Sequence, residues 1–331
     1  MHRAAGGHVV RALTIAGSDS GGGAGIQADL KTMHQFGVYG ASVLTAVTAQ
    51  NTLGVQGVHP VPSEFVKAQL ESIRADIGAD AAKTGMLGSA DVIDVVAAFL
   101  RDHPVPHLVV DPVMVAKGGS PLLADDAVAT LQQRLLPLAT VVTPNLPEAE
   151  VLWGERIHSF ADCHRAARAI AKFGVATVIV KGGHAPDHDT DTDCRDAASG
   201  AGLASKPDCR DGFGELPSGV DLHEWSVDLV YERAEDRFSY FATPRVVSRK
   251  THGTGCTYSA AITALLARGH PVLQAIASAK AFVYRAIEGA RDWDVGAGHG
   301  PTDHSAAPHS APPLPAGRFH TYQAGQWTPF S

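Results

Sequence analysis

The sequence predicts an α/β fold in which a mostly parallel sheet is covered by helices on both faces. Short apolar runs of strand length alternate along the chain with longer amphipathic runs of helical period. This alternation is typical of right-handed βαβ units, which place their strands in one parallel sheet. The chain has 331 residues, 45% of them hydrophobic, and is therefore long enough to bury a full core.

The elements follow in order from this alternation. Predicted strands cover residues 12–16, 41–49, 81–84, 108–111, 140–143 and 177–181. Predicted helices cover residues 25–36, 63–77, 90–101, 124–136, 258–268 and 273–290. Between the last parallel strand and the last two helices, residues 228–232 and 238–242 predict a pair of strands.

A single domain covering residues 1–331 is expected, with two segments that interrupt the pattern. Residues 185–226 are rich in Asp, Gly, Ser and Pro and predict a solvated loop inserted into the domain. From about residue 295, Gly, Pro and His are scattered without periodicity, which predicts an irregular C-terminal tail.

The composition excludes several classes of partner. A net charge of −7 and an isoelectric point near 6.2 argue against nucleic acid and anionic membranes, because both reward clustered Lys and Arg. The sequence contains no apolar run long enough for a membrane span and none of signal-peptide length near its start, so we expect a cytoplasmic protein. The four cysteines are widely spaced and form no CxxC pair, which argues against a zinc site or a disulfide framework.

A glycine-rich turn before a predicted helix is the most informative local feature. Gly253, Thr254, Gly255 and Cys256 are followed at once by an alanine- and leucine-rich helical run. The glycines allow several backbone N–H groups to face one point, where the positive end of the helix dipole adds to them. The turn therefore predicts an anion site, and the dipole favours a thiolate at Cys256, a candidate base or nucleophile. The alternative is ordinary helix capping with an inert, buried thiol.

Other polar and glycine residues follow the ends of the predicted strands, where ligands bind in parallel sheets. They include Gly17, Gln50, Asp111, Asn145 and Lys181. The glycine-rich turn at residues 17–25 matches neither a dinucleotide fingerprint nor a Walker A loop, since the chain contains no Gly-Lys-Ser or Gly-Lys-Thr. On the residues alone, Asp29 in the following helix is a solvated carboxylate.

Taken together, these motifs resemble those of one family. The matching blocks are AGSD at 16–19, GGAGIQADLK at 22–31, TAQNT at 48–52, KTGML at 83–87, DPVM at 111–114, TPNLPEA at 143–149, KGGH at 181–184 and HGTGC at 252–256. The chain resembles the hydroxymethylpyrimidine and phosphomethylpyrimidine kinases, a branch of the ribokinase-like family. The resemblance implies a three-layer α/β kinase, usually dimeric, so a homodimer is expected. Such a kinase transfers the γ-phosphoryl group of ATP to 4-amino-5-hydroxymethyl-2-methylpyrimidine and then to the resulting monophosphate.

The resemblance also implies an acceptor site. A flat aminopyrimidine needs hydrogen-bonding partners and apolar walls, and Gln50 is able both to donate and to accept. The resemblance implies that Asp29 is a second polar contact of the pyrimidine and that Gly17 lies close to its ring. It also implies that Met86 and Val113 form the apolar walls of the acceptor site. Plain core packing is the alternative for Met86 and Val113.

On the nucleotide side, phosphoryl transfer requires Mg²⁺ and a cation to screen the phosphates. The resemblance implies that Glu148 and Asp111 hold the metal, and that Asp111, Asn145, Lys181 and Gly183 bind ATP. Helix capping is the alternative for Asn145 and Glu148. Gly253, Thr254, Gly255 and Cys256 are the implied catalytic residues, with Cys256 where the wider ribokinase family has Asp. A pyridoxal or pyridoxine kinase and a non-catalytic regulator that binds a precursor remain as other functions.

Overall fold

The structure is a computed structural model that describes residues 1–4, 6–114, 125–182, 221–308, 314, 318–323 and 325–329. Gly183 and most of the predicted insert at 185–226 lie outside the described residues. Of the helices within these ranges, none combines the length and the apolar character that crossing a membrane would require.

The described strands are β1 (Arg11–Ala16), β2 (Tyr39–Leu44), β3 (Ala46–Asn51), β4 (Gly54–Pro60), β5 (Ala81–Thr84), β6 (Leu108–Val110), β7 (Val141–Val142), β8 (Thr177–Val180), β9 (Trp225–Glu232), β10 (Arg237–Pro244), β11 (Phe319–Gln323) and β12 (Gln326–Pro329). The described helices are α1 (Gly25–Gln35), α2 (Ser63–Asp76), α3 (Ala90–Asp102), α4 (Asp125–Thr130), α5 (Leu146–Trp153), α6 (Phe160–Ala171), α7 (Thr254–Ala267) and α8 (Val272–Gly289).

Within the described ranges, the main sheet has the strand order β12-β11-β10-β9-β8-β7-β6-β5-β1-β2. Strands β1, β2, β5, β6, β7 and β8 are parallel to one another, so their carboxyl ends meet at one edge. Strands β9 and β10 form the predicted pair, and β9 is antiparallel to both β8 and β10. The predicted α/β class with a mostly parallel sheet is confirmed.

Apolar residues on the two faces of the sheet belong to two separate cores. Val109 packs with α1, α7 and α8, whereas the next residue, Val110, packs with α2, α3 and α6. Val141 and Val142 likewise belong to different cores, as expected for successive strand residues that point to opposite faces of the sheet. Helices therefore cover both faces, which gives the predicted three layers.

The predicted strand at 41–49 is divided in two, because the chain leaves the main sheet at Thr45. The Thr45 N–H donates to Ala16 O over 3.1 Å, and its Oγ1 donates to Met86 O over 2.6 Å. Beyond this bend, β3 pairs with β4 in a hairpin of its own. The predicted helix at 124–136 also changes form, since α4 is followed by a π-turn and a 3₁₀ turn where Pro137 lacks the N–H that an α-helix needs.

The expectation of an irregular tail from about residue 295 is corrected by β11 and β12. Strand β11 runs parallel to β10 and pairs with β12, which extends the main sheet. His320 stacks on Phe241 with ring centroids 5.3 Å apart, and Trp327 packs edge-on against the same ring. These two strands cover apolar surface at β10 that would otherwise face water, which explains why so short a segment is ordered.

Candidate active site

A cavity of about 650 Å³ opens at the carboxyl ends of β1, β5, β6, β7 and β8. Twelve of the fourteen sequence-predicted site residues line it: Gly17, Gln50, Met86, Asp111, Val113, Asn145, Glu148, Lys181, Gly253, Thr254, Gly255 and Cys256. Asp29 does not line the cavity, and Gly183 lies outside the described residues. The fold therefore gathers residues from most of the chain at the edge where parallel sheets bind ligands.

The phosphate cradle, which we define as residues 253–256, forms the start of α7 in the middle of the cavity. Gly253 has φ 78°, a left-handed conformation, and a Cβ there would collide with the carbonyl oxygen of Gly23. A Cβ on Gly255 would lie 3.4 Å from Lys181 Nζ and 3.6 Å from Asp111 Oδ2. Because these positions carry no side chains, an anion is able to approach the first N–H groups of the helix and the Lys181 ammonium together.

Cys256 is the third residue of α7 and is half-buried at the cavity wall. Burial, with a smaller contribution from the Asp29 and Asp111 carboxylates, raises the pKa of its thiol to about 12, while Lys83 acts in the opposite direction. The expectation that the helix dipole makes Cys256 a thiolate is therefore wrong. Removal from water and two nearby negative charges outweigh the dipole.

Lys181 is held by two carboxylates on the nucleotide side of the cradle. Its Nζ lies 3.1 Å from Asp111 Oδ1 and 3.9 Å from Glu148 Oε2. Asp111 also accepts hydrogen bonds from Thr143 Oγ1 at 3.0 Å and Ser259 Oγ at 3.3 Å. Burial opposes ionisation of Asp111, but the positive charges of Lys181 and Lys83 lower the pKa of this carboxyl. The ion pair is consequently charged, and both of its residues line the cavity.

Glu148 and Asn145 form a reciprocal cap at the start of α5. The Glu148 N–H donates to Asn145 Oδ1 at 2.9 Å, and the Asn145 N–H donates to Glu148 Oε2 at 2.8 Å. The capping alternative for these two residues is therefore confirmed, and both side chains also line the cavity. Burial raises the pKa of Glu148 to about 7, although Lys181 acts to lower it.

The donor set for a divalent metal is small. No group of three or more His, Cys, Asp or Glu side chains able to hold a metal occurs in the described part of the chain. Asp111 and Glu148 both lie next to Lys181 at the cavity. Mg²⁺ is usually held by one or two carboxylates together with water and substrate phosphates, so these two residues fit a magnesium ion that arrives with a nucleotide.

The acceptor end of the cavity combines one amide with apolar walls. Gln50 is in the β3–β4 hairpin, and its Oε1 accepts from Thr48 Oγ1 over 3.3 Å. A Cβ on Gly17 would collide with Cε of Met86, so a larger residue here would displace the Met86 side chain in the cavity wall. Met86 and Val113 are half-buried cavity walls and are not part of the two cores.

Asp29 is fully buried in α1, below the cavity. Its carboxylate accepts from Thr14 Oγ1 at 2.6 Å and forms an ion pair with Lys83 Nζ at 2.9 Å. The predicted direct contact between Asp29 and the acceptor is therefore corrected, since both of its oxygens are already bonded inside the protein. Burial opposes protonation of Lys83, but Asp29, with Cys256 and Asp111 beyond it, raises the pKa of this ammonium.

Several cavity residues were missed by the sequence analysis. At the far end, Lys280 Nζ lies 2.8 Å from Asp228 Oδ1 and 2.9 Å from Ser226 Oγ, beside the apolar side chains of Val283 and Ile287. A lysine within an apolar helical run was the signal available for Lys280. At the acceptor end, Asp19 and His252 also line the cavity.

The three-layer α/β fold brings a helix N-terminus, a buried lysine and an adjoining apolar pocket together in one cavity. This combination indicates a class of protein, the phosphotransferases of ribokinase-like fold. Residues 19–203 and 218–303 match the phosphomethylpyrimidine kinase family. The chain belongs to this family.

Relatives and solved structures agree with this assignment. A protein of Haemophilus influenzae named hydroxymethylpyrimidine/phosphomethylpyrimidine kinase is 46% identical over 299 residues, which cover 90% of this chain and 98% of the relative. The pyridoxal kinase from Staphylococcus aureus in complex with AMP-PCP and pyridoxal has a TM-score of 0.73 and 35% identity, covering 91% and 95% of the two chains. The phosphomethylpyrimidine kinase of Clostridium difficile 630 has a TM-score of 0.65 and 36% identity, covering 84% and 99%.

Proposed function

We propose that this protein transfers the γ-phosphoryl group of ATP to 4-amino-5-hydroxymethyl-2-methylpyrimidine, and then to the resulting monophosphate, for thiamine biosynthesis. The observation that carries the proposal is a single cavity lined by the phosphate cradle, Gln50 and Lys181, with Lys181 beside Gly255 of the cradle. The name of the Haemophilus relative supports the pyrimidine as acceptor, and the AMP-PCP complex of the pyridoxal kinase supports ATP as donor.

In this proposal the pyrimidine lies flat between Met86 and Val113, with its ring close to Gly17. The Gln50 side chain hydrogen-bonds the exocyclic amine or a ring nitrogen. The hydroxymethyl group then faces the phosphate cradle and Cys256. Asp29 acts indirectly, because its ion pair with Lys83 fixes a positive charge beneath the cradle.

ATP occupies the rest of the cavity, with its triphosphate along Asp111, Asn145 and Lys181 and its base toward Lys280. Lys181 and the N–H groups of the cradle stabilise the charge that spreads over the transferred group. When bound, Mg²⁺ screens the phosphate oxygens, held by Glu148 and Asp111. Gly183 is proposed as a nucleotide contact because it follows Lys181 in the matching block.

The Cys256 thiol contributes as a proton relay and is not a preformed thiolate. With a pKa of about 12, the thiol carries its proton at neutral pH. We infer that Sγ accepts the proton of the acceptor hydroxyl while the thiol's own proton passes to an oxygen of the transferred phosphoryl group, once bond formation to phosphorus has made the hydroxyl acidic. This order of events suits a loose transition state, in which the acceptor loses its proton late.

The decisive experiment is product analysis with the pyrimidine and ATP, following the substrate, its monophosphate and its diphosphate over time. We expect the monophosphate to appear first and then to be converted to the diphosphate. Consumption of the pyrimidine without phosphorylated product, or no consumption of ATP, would contradict the proposal. A non-catalytic regulator would bind the pyrimidine and leave ATP intact.

A pyridoxal kinase is the second candidate, favoured by the structural similarity to the Staphylococcus aureus enzyme. Pyridoxal is also a flat heteroaromatic ring with a hydroxymethyl group, so the same walls would accept it. Side-by-side assays with both acceptors at equal concentration separate the two functions through the ratio of kcat/KM.

The proposal also includes a homodimer located in the cytoplasm. The β3–β4 hairpin carries three exposed apolar side chains, at Val47, Leu53 and Val58, which support self-association. Light scattering during size-exclusion chromatography gives the oligomeric state, and cell fractionation gives the location.

A further inference from the structure

Two glycine-rich turns meet at the centre of the cavity, joined by one side-chain pair. We define residues 17–25, which link β1 to α1, as the acceptor turn. His252, immediately before the phosphate cradle, places its Nε2 2.8 Å from Oδ2 of Asp19 in the acceptor turn. Both side chains line the cavity, and neither is used by the proposed chemistry.

Asp19 organises the backbone of the acceptor turn. Its Oδ1 accepts from the Gly21 N–H at 2.8 Å, and its Oδ2 accepts from the N–H groups of Gly23 at 3.1 Å and Ala24 at 2.8 Å. Burial opposes ionisation, yet the hydrogen bonds from His252 and these N–H groups lower the pKa of Asp19. A charged carboxylate thus shapes the acceptor turn, and His252 connects that carboxylate to the cradle.

The two turns also pack without spare room. A Cβ on Gly253 would collide with the Gly23 carbonyl oxygen, and a Cβ on Gly23 would lie 2.7 Å from Cδ2 of His252. Because the backbones are in contact, a shift of the cradle displaces the acceptor turn as well. The distance between the acceptor and the transferred phosphoryl group depends on this contact.

A C-terminal strap, residues 296–301, connects His252 to the β3–β4 hairpin. The His252 N–H donates to Gly300 O at 3.0 Å, and His252 forms a β-bridge with Pro301. In the hairpin turn, Thr52 O accepts from the His299 N–H at 2.9 Å and Thr52 Oγ1 accepts from the Gly298 N–H at 3.2 Å. Thr52 is two residues beyond Gln50, so the strap joins the acceptor-binding hairpin to the cradle.

We propose that His252 is a positioning residue, which holds the acceptor turn and the phosphate cradle at the separation that phosphoryl transfer needs. The strap extends this alignment to the hairpin that carries Gln50. This inference rests on the proposed function. A misplacement of 1 Å is able to slow catalysis roughly 10²-fold, so loss of the His252 donor acts on kcat and leaves binding nearly intact.

The test compares His252→Leu, which removes the donor, with His252→Gln, whose amide N–H is still able to reach Asp19. His8→Leu is the matched control, because His8 Nε2 pairs with Asp80 Oδ1 at 3.1 Å on the surface, away from the cavity. For His252→Leu we expect kcat to fall roughly 30- to 100-fold with both KM values within about threefold of the wild type. His252→Gln recovers most of kcat, and His8→Leu matches the wild type.

Several outcomes would overturn the inference. One is an equal loss of kcat in His252→Leu and His252→Gln, and another is an unchanged kcat in His252→Leu. A third is a raised KM for the pyrimidine at constant kcat, which would show that His252 binds the substrate directly. If thermal melting shows that His252→Leu does not fold, His252→Asn replaces it, and a wild-type kcat in that variant overturns the inference. If the wild-type enzyme itself fails to phosphorylate the pyrimidine, the proposed function fails; wild-type transfer with unaffected variants contradicts the positioning role alone.

Discussion

Lys181 and Asp111 form a buried ion pair across the carboxyl ends of β8 and β6, with 3.1 Å between Nζ and Oδ1. The pair lies directly beside Gly255, where a Cβ would be within 3.6 Å of both charged groups. The cation that we expect to meet the transferred phosphate is therefore held in place by a carboxylate.

Removing this cation should impair phosphoryl transfer. For Lys181→Met we expect kcat/KM for ATP to fall roughly 10²-fold, because a charge that stabilises the transition state is lost. Initial rates at varied ATP measure the effect. Lys172→Met changes an exposed lysine and is the control, expected to match the wild type. A loss in Lys181→Met smaller than threefold would contradict the role of Lys181.

Cys256→Ala should separate the two transfers. The first acceptor is an alcohol that must lose a proton, whereas the second is a phosphate oxygen that is already largely ionised. We expect the first step to slow about tenfold or more and the second to stay within about threefold, measured in separate single-step assays. Cys163→Ala removes a buried thiol outside the cavity and serves as control. Equal slowing of both steps argues against a proton-relay role.

The pKa of about 7 at Glu148 gives the reaction a pH dependence. The carboxylate form accepts hydrogen bonds from metal-bound water more strongly than the neutral acid does, and this form becomes populated as the pH rises through 7. We therefore expect kcat/KM for MgATP to increase between pH 6 and pH 8 in the wild type. Glu148→Gln should lose most of the activity together with this limb of the profile. An unchanged limb in Glu148→Gln would assign the titration to another group.

Gly253→Ala should both destabilise and inactivate the enzyme. The substitution forces a Cβ into a residue with φ 78° and against the Gly23 carbonyl oxygen. Gly154→Ala is a matched control, because Gly154 has φ 86° and open space around its Cα. In urea denaturation we expect a loss of about 1 kcal/mol for Gly154→Ala from backbone strain alone, and a larger loss for Gly253→Ala. Equal losses would show that the two turns are not in contact.

The buried Lys83–Asp29 pair should be costly to break from one side. Lys83→Met leaves the Asp29 carboxylate buried without its cation, and we expect a loss of about 3–5 kcal/mol in the free energy of unfolding. The double variant Lys83→Met with Asp29→Asn should recover a substantial part of that loss in the same urea titration. A double variant as unstable as the single one would mean that cavity formation, and not the unpaired charge, causes the effect.

The alternation of apolar runs was sufficient to predict the sheet, because each buried parallel strand is short, apolar and followed by an amphipathic helix. The Asn145–Glu148 cap was also readable, since its hydrogen bonds join residues three apart. The bend at Thr45 could not be predicted from local sequence, because it depends on hydrogen bonds to the carbonyl oxygens of Ala16 and Met86, which only the folded chain brings close. Strands β11 and β12 were missed for the same reason, as their ordering depends on β10.

For the site, the motifs predicted which residues line the cavity, but not their protonation states or their contacts. Asp29 belongs to a matching block, yet its contacts with Thr14 and Lys83 come from strands that are distant in the chain. The helix position of Cys256 suggested a thiolate, while the opposing effects of burial and of Asp111 required the three-dimensional surroundings. Local sequence therefore indicates chemistry, and tertiary packing decides protonation and access.

The β3–β4 hairpin lies apart from the main sheet and yet carries Gln50. In the proposed function, the hydrogen bond that recognises the acceptor therefore comes from this separate hairpin, while the groups that we propose to bind phosphate lie at the carboxyl ends of the main sheet and at the start of α7. Substitutions at Gln50 would then change the preferred acceptor, whereas substitutions at Thr52 would also reach the cradle through the strap. Such an arrangement suits a fold whose solved relatives include both a pyridoxal kinase and a phosphomethylpyrimidine kinase.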